Sequence, residues 1–350
     1  MPEKYRVGVV GLSGIAANRP AAEPGNILKT PSPSSHLGAY HLIPQTDVVA
    51  VCELKTELFE KVADTWGQEF GELETYTDYR EMIERENLDI VSVVTSDHRH
   101  TDIVVEAANA GAKGIICEKP FATTVDECTR MIEACEASGT LLVVDHTNRW
   151  GPHYDVAREA VRSGSIGEVQ RIVATLGGPR AMMFRNGTHL VDGVCFFADS
   201  EPEWVFAELE PGYDHYDRYL GDGGRDPATD PAVSGYVHFR NGVRAFVNAN
   251  KSQFAASFTF QVYGETGMLD VHNSRVIRRD RNNSEFLPFE AHLYTRIPAC
   301  VADLIDAIEN GSDLLSPARE AKKTVEILVG FLQSHARGNV RVDLPLPPGH

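Results

Sequence analysis

Between residues 5 and 145 the apolar positions alternate between two rhythms. Short runs rich in Val and Ile occupy 6–10, 48–52, 89–94, 114–117 and 141–144. Between the later runs, apolar side chains recur at helical spacing over 58–70, 79–86, 100–110 and 125–137. The last of these opens at Thr124 with Glu127 three residues on, a capping-box pattern, and aligns Cys128, Met131, Ile132 and Cys135 on one face. Strands alternating with helices predict a parallel sheet covered on both faces, a doubly wound nucleotide-binding domain over 1–150.

Past residue 150 the rhythm changes. Strand-like runs follow one another at 169–176, 204–209, 233–239, 243–248 and 258–263, and Asn241-Gly242 between two of them is a hairpin signal. A mostly antiparallel sheet is therefore expected in a second α/β domain over 151–350. Helices near 299–309 and 317–336 close it, with Gly338 as a stop. Two stretches are irregular. Residues 17–36 hold Pro20, Pro24, Gly25, Pro31 and Pro33, and 210–232 hold Tyr213, His215, Tyr216, Tyr219 and five Asp among glycines. Each is either a lid over a site or a solvated excursion.

Composition narrows the function. The 350 residues carry 33 Lys plus Arg against 50 Asp plus Glu, a formal net charge of −17. That argues against a nucleic-acid partner, which needs a basic stripe, and against an anionic membrane surface. No run reaches the roughly 18 apolar residues of a membrane span, and no signal-peptide core is evident. The six cysteines form no C-x-x-C pair, and no His/Cys cluster has zinc spacing, so no metal is expected. A soluble cytoplasmic protein with reduced thiols is the expectation.

Candidate chemistry sits at strand ends. The first strand runs into Gly8-Val-Val-Gly11-Leu-Ser13-Gly14-Ile15-Ala16. Against G-x-G-x-x-G/A, Gly11 and Ala16 fit and Ser13 replaces the second glycine. Such a turn lets a pyrophosphate approach backbone N–H groups, so Gly11, Ser13, Gly14 and Ile15 are assigned to a dinucleotide. Glu53 closes the second strand, where an acid accepts hydrogen bonds from a ribose and repels a 2′-phosphate. NAD is thus favoured, with NADP as the alternative because Lys55 lies close by. Thr95, Ser96 and His100, and then Glu118 and Lys119, follow the next strands at the carboxyl edge that binds ligands in such sheets.

In order and combination these segments resemble the Gfo/Idh/MocA family of NAD(P)-dependent oxidoreductases. The resemblance rests on the glycine turn, Thr95–His100, Glu118-Lys119-Pro120, Asn148-Arg149-Trp150-Gly151-Pro152, Gly187-Thr188-His189-Leu190-Val191-Asp192 and Tyr263-Gly264-Glu265-Thr266-Gly267-Met268-Leu269. It implies a Rossmann domain followed by an α/β domain with a large open sheet, through which members often associate, so a dimer or tetramer is expected. It also implies that Lys119 lies beside the nicotinamide and the reacting hydroxyl. His189 is then the general acid/base, and Asp192 binds a hydroxyl or orients the histidine. Many relatives carry Asp four residues before that histidine; here Arg185 stands there, which suits a substrate carboxylate or phosphate and cannot act as a base. Arg149 and Trp150 are further substrate candidates, Trp150 with interdomain core as its alternative.

The resulting expectation is an NAD-dependent oxidoreductase acting on a secondary hydroxyl of a sugar, cyclitol or glycoside. A glycosidase or epimerase using transient oxidation, and a non-catalytic NAD-binding sensor, are the alternatives.

Overall fold

The first strand, β1 (Tyr5–Val10), buries its last four residues. The computed structural model describes residues 4–19, 34–221, 226–252, 257–272 and 274–349. Pro20, Pro24, Gly25, Pro31 and Pro33, and part of the 210–232 stretch, lie outside them. After β1 come α1 (His36–Leu42), β2 (Thr46–Cys52), α2 (Glu57–Phe70), β3 (Glu74–Tyr76), α3 (Tyr79–Glu86), β4 (Ile90–Val93), α4 (His100–Asn109), β5 (Gly114–Cys117), α5 (Val125–Ser138) and β6 (Leu141–Val144). All six strands are parallel, in the order β3-β2-β1-β4-β5-β6. The order reverses between β1 and β4, the switch point at whose carboxyl side such sheets bind ligands. Every residue of β4 and β5 is buried, as a sheet covered on both faces requires.

The chain continues through α6 (Pro152–Arg162), β7 (Val169–Gly177), α7 (Gly187–Ala198), β8 (Pro202–Leu209), β9 (Val233–Phe239), β10 (Arg244–Asn250), β11 (Ser257–Gly264), β12 (Met268–His272), β13 (Arg275–Arg279) and β14 (Ser284–Leu287). It ends in α8 (Arg296–Asn310), α9 (Ala318–Ala336) and the two-residue β15 (Val342–Asp343). The second sheet runs β14-β13-β12-β11-β7-β10-β9-β8-β15. Every pairing in it is antiparallel except β7 with β10. Asn241-Gly242 turns β9 into β10, with Gly242 at φ +88° and Phe239 N–H bonded to Val243 O at 2.9 Å. One face of this sheet packs on α6 and α7. There Gly193 of α7 lets the ring of Phe260 approach; a Cβ at that position would lie 2.5 Å from it.

Two compact units result. The first is 1–121, 127–150 and 293–318, the second 122–126, 151–292 and 319–350. Residue 150 marks one crossing between them, and the chain returns to the first unit to place α8. Cys300, Val301 and Leu304 of α8 join Leu37 and Tyr40 of α1 and Val9, Ile116 and Val143 of the parallel sheet in one apolar core. All six cysteines are buried thiols. Burial above all pushes Cys52 and Cys135 up to about 12, where they stay protonated. Among the described residues, no helix is long and apolar enough to cross a membrane.

Candidate active site

The turn after β1 is shaped by close approach. Gly11 has φ +93°, and a Cβ there would sit 2.5 Å from the carbonyl oxygen of Val94, so only glycine fits. Its N–H bonds Cys52 O at 2.8 Å, tying the turn to the end of β2. Ser13 and Gly14 are exposed, Ile15 is half-buried, and a short 3-10 turn over Gly14–Ala16 follows. Glu53 sits beside this turn although 41 residues separate it from Leu12. Its Oε2 accepts the Leu12 N–H at 2.9 Å and its Oε1 the Lys55 N–H at 3.0 Å. Each oxygen keeps a further lone pair, so the carboxylate is held in place and can still accept from ribose hydroxyls. The glycine cradle and the anchored acid together fit a dinucleotide.

Thr95 and Ser96, both half-buried, follow β4. His100 is fully buried, with Nδ1 3.2 Å from Phe121 O and Nε2 3.3 Å from Thr95 O. It ties the loops after β4 and β5 together. Glu118 and Lys119 come next and are 6% and 7% exposed, a low value for two adjacent charged residues. The Glu118 N–H bonds Val93 O at 3.0 Å, and its Oε2 accepts the Lys119 N–H at 3.2 Å. Its Oε1 lies 3.2 Å from Nε2 of His36, a residue that sequence patterning did not single out. Burial pushes the Glu118 carboxyl up, but the hydrogen bond and charge of His36 and the charge of Lys119 outweigh it and bring the group down to about 2.

Arg149 and Trp150 are interior residues of the same unit. Arg149 is 1% exposed and donates from Nη1 to Leu315 O at 2.9 Å. Trp150 belongs to the apolar core that contains Cys300 and Leu304.

In the second unit, α7 carries His189 and Asp192 three residues apart. His189 is half-buried with its ring edge-on to Phe258, centroids 6.2 Å apart, while Asp192 is buried. Arg185 precedes the helix on a turn that is tightly braced. Its N–H and that of Phe184 donate to the fully buried carboxylate of Asp230, at 2.9 and 3.1 Å. Phe184 also stacks face to face on Tyr219, centroids 4.0 Å apart. Burial and the neighbouring Arg185 charge pull Arg180 below its ordinary value, so the loop before α7 concentrates positive charge.

The described part of 210–232 is hence tied down by its aromatic residues. Tyr213 and Tyr216 donate to the carbonyls of Ala228 and Thr229 at 2.9 and 3.0 Å. Lys251 bonds both Glu210 and the carbonyl of Pro227. Sequence reasoning did not single out Asp230 as the acid that braces the turn before α7, nor Tyr219 as the ring stacked on Phe184. The only sequence signal for them was the unusual density of Asp and Tyr in this stretch.

A parallel sheet ordered 3-2-1-4-5-6, a first turn that admits only glycine and an acid anchored at the end of the second strand define a dinucleotide-binding domain. Comparison with known proteins makes the assignment specific. Residues 5–146 match the family described as "Oxidoreductase family, NAD-binding Rossmann fold" and residues 154–270 the GFO/IDH/MocA C-terminal domain. The chain belongs to the GFO/IDH/MocA family.

D-apiose dehydrogenase of Paraburkholderia graminis is 36% identical over 133 residues, which span 38% of this chain and 34% of that protein. The match thus covers about a third of that relative's length. Myo-inositol 2-dehydrogenase of Thermotoga maritima is 26% identical over 282 residues, 77% of this chain and 76% of its own. The solved structure of an oxidoreductase from Agrobacterium radiobacter in complex with NAD+, L-tartaric acid and magnesium shares the fold with a TM-score of 0.76. It is 17% identical, with 97% of this chain and 98% of that one covered.

Proposed function

We propose that this protein transfers a hydride between NAD and a secondary hydroxyl of a sugar, cyclitol or glycoside. The observation that carries the reading is Lys119. The chain has only nine lysines, and this one lies nearly buried at the carboxyl end of β5 with its backbone held by Glu118. The names of the curated relatives, a D-apiose and a myo-inositol dehydrogenase, support the substrate class.

When bound, the nicotinamide supplies the hydride acceptor. Gly11, Ser13, Gly14 and Ile15 form the pyrophosphate turn, Glu53 takes the adenosine ribose, and Thr95, Ser96, Glu118 and Lys119 border the nicotinamide half. Lys119 and His189 handle the hydroxyl proton, the ammonium of Lys119 stabilises the developing alkoxide, and Asp192 and Arg185 orient the substrate. Arg185 has no basic role, because a guanidinium stays protonated at working pH. Glu53 favours NAD over NADP, since its carboxylate repels a 2′-phosphate.

The six buried thiols support a reducing, cytoplasmic setting. The outer face of the second sheet supports association of identical chains. Trp204, Phe206, Tyr236 and Phe246 form an aromatic ladder there, with Phe206 and Phe246 42% and 43% exposed.

A panel of pentoses, hexoses, inositols and uronates monitored for NADH formation tests the assignment. Saturable NADH production with at least one polyol is expected. Cleavage of a glycoside with no net NADH would replace it with a glycosidase reading, and no turnover on the whole panel would contradict it.

A further inference from the structure

Beneath Lys119 lies a polar cluster sealed from solvent. His36, Glu118 and Asp145 come from the start of α1, the end of β5 and the end of β6, and each is at most 6% exposed. One ring nitrogen and one carboxylate oxygen from each acid all lie within 4.8 Å of one another. His36 Nε2 is 3.2 Å from Glu118 Oε1 and 3.9 Å from Asp145 Oδ2. On its other side, Nδ1 is 3.1 Å from Ser92 Oγ, which in turn lies 2.6 Å from Tyr40 OH. The ring is thereby fixed in orientation from both edges.

No fixed N–H or O–H donor of the described residues reaches either oxygen of Asp145. Its carboxyl lies beside that of Glu118, one oxygen of each within 4.8 Å of the other. Two carboxyl groups buried this close repel when both are ionised, so one of them is favoured to carry a proton. Glu118 already receives His36 and the Lys119 N–H, so its anionic form is the one the surroundings favour.

We propose that His36 and Asp145 are positioning residues for Lys119. Together they hold Glu118 as the anion that accepts the Lys119 backbone N–H, and Asp145 does so as a neutral acid donating its hydroxyl proton to Glu118. The proposal rests on the reading that Lys119 serves the proton-transfer step.

The charges that face the cluster agree with it. From α1 come His36 and Tyr40, from β4 Ser92, from the strand ends Glu118, Lys119 and Asp145, and from α8 Arg296 and Cys300. Burial keeps Tyr40 and Cys300 protonated and neutral. Burial, then the neighbouring charge of Glu118, raise Asp145 well above the usual carboxylate range; Arg296 and Lys119 pull the other way without reversing it. With Lys119 and Arg296 already beside the two acids, a proton satisfies the pair and a divalent cation would add charge repulsion.

Infrared spectroscopy of the full-length protein at neutral pH tests the proton directly. The wild type should show a carbonyl band of a protonated carboxylic acid that Asp145→Asn lacks; identical spectra in that region would overturn the proposal. Bound divalent metal, measured on protein as purified, should be absent, and an equimolar ion that Asp145→Asn loses would equally overturn it. In kinetics, Asp145→Ala should lose at least tenfold in kcat/KM. Asp145→Asn, which keeps a neutral donor of the same shape, should recover most of that loss.

His36→Gln and Glu118→Gln weaken or remove the anion beside Lys119. Both should therefore move the limb of the pH profile that Lys119 governs towards lower pH, by about one unit. A limb unmoved in both variants contradicts the positioning role. The two readings fail separately. If Lys119→Ala keeps its turnover while the band persists, the role given to Lys119 is wrong. If Lys119→Ala is inactive and the band is missing, this inference is wrong.

Discussion

The buried carboxylate of Asp230 accepts the backbone N–H of Arg185 at 2.9 Å, joining two segments 45 residues apart. The same carboxylate holds Phe184 N–H, so one acid organises the turn that launches α7 and His189. Asp230→Ala leaves the buried N–H of Phe184 and the part-buried N–H of Arg185 without their acceptor, the buried one worth about 1–3 kcal/mol. Urea denaturation should show a stability loss of that order, and substrate KM should rise more than kcat falls, because Arg185 loses its backbone anchor. Unchanged stability and KM would show that the turn is held by other contacts.

Glu53 makes a prediction about cofactor choice. Glu53→Gln keeps the acceptor for Leu12 N–H but removes the negative charge that a 2′-phosphate would meet. The ratio of NAD+ to NADP+ affinity, measured by fluorescence titration, should fall about tenfold, near 1.4 kcal/mol. A ratio that stays put would mean that the ribose binds elsewhere.

The pH dependence of stability follows from Asp145. Its folded pKa is raised above the unfolded value of 3.8. Its contribution is thus fully present below 3.8 and is lost as pH rises from there through the folded value. Glu118 has the opposite sign: lowered from 4.5 to about 2, its contribution is present above 4.5 and is lost as pH falls through that window. Asp145→Asn removes only the first effect. Relative to wild type, this variant should gain stability as pH rises from 4 towards 8, by up to about 1.4 kcal/mol per unit. Denaturation midpoints that run parallel across this range would contradict a protonated Asp145.

The sheet face gives an assembly prediction. Charges placed at the exposed ladder, as in the double variant Phe206→Asp/Phe246→Asp, should convert an oligomer to monomers in sedimentation analysis. The fold itself should survive, because both side chains point away from the buried side of their strands. An oligomer that persists would assign the interface to another surface.

The parts of this molecule most readable from sequence were those whose neighbours are dictated locally. β4 and β5 are apolar runs with every residue buried, and the face of α5 repeats at helical spacing, so pattern alone identifies them. β3 escaped because Glu-Thr-Tyr on a sheet edge has no apolar signal. α1 escaped because its seven residues follow a proline-rich stretch and include Gly38. β13, Arg-Val-Ile-Arg-Arg, buries two adjacent residues and breaks the alternation expected of a strand.

In the candidate site, Glu53, Glu118, Lys119 and His189 were legible because strand ends and ordered motifs marked them. His36 was not. Its importance arises from packing against Ser92 and Glu118, 56 and 82 residues away, and no local rule reports such a pairing. Arg149 illustrates the converse. Its position at a domain crossing suggested a ligand contact, whereas its near-complete burial and the bond from Nη1 to the Leu315 carbonyl are products of packing that no local pattern reports.

The central claim is that Lys119 serves proton transfer during oxidation of a polyol hydroxyl. Turnover of Lys119→Ala on the best substrate of the panel, alongside its affinity for NAD+, measures it most directly. The account predicts a fall in kcat of at least a hundredfold, within the range usual for a lost acid–base group, with NAD+ affinity within about threefold of wild type. A variant that binds NAD+ normally and still turns over near the wild-type rate would contradict it.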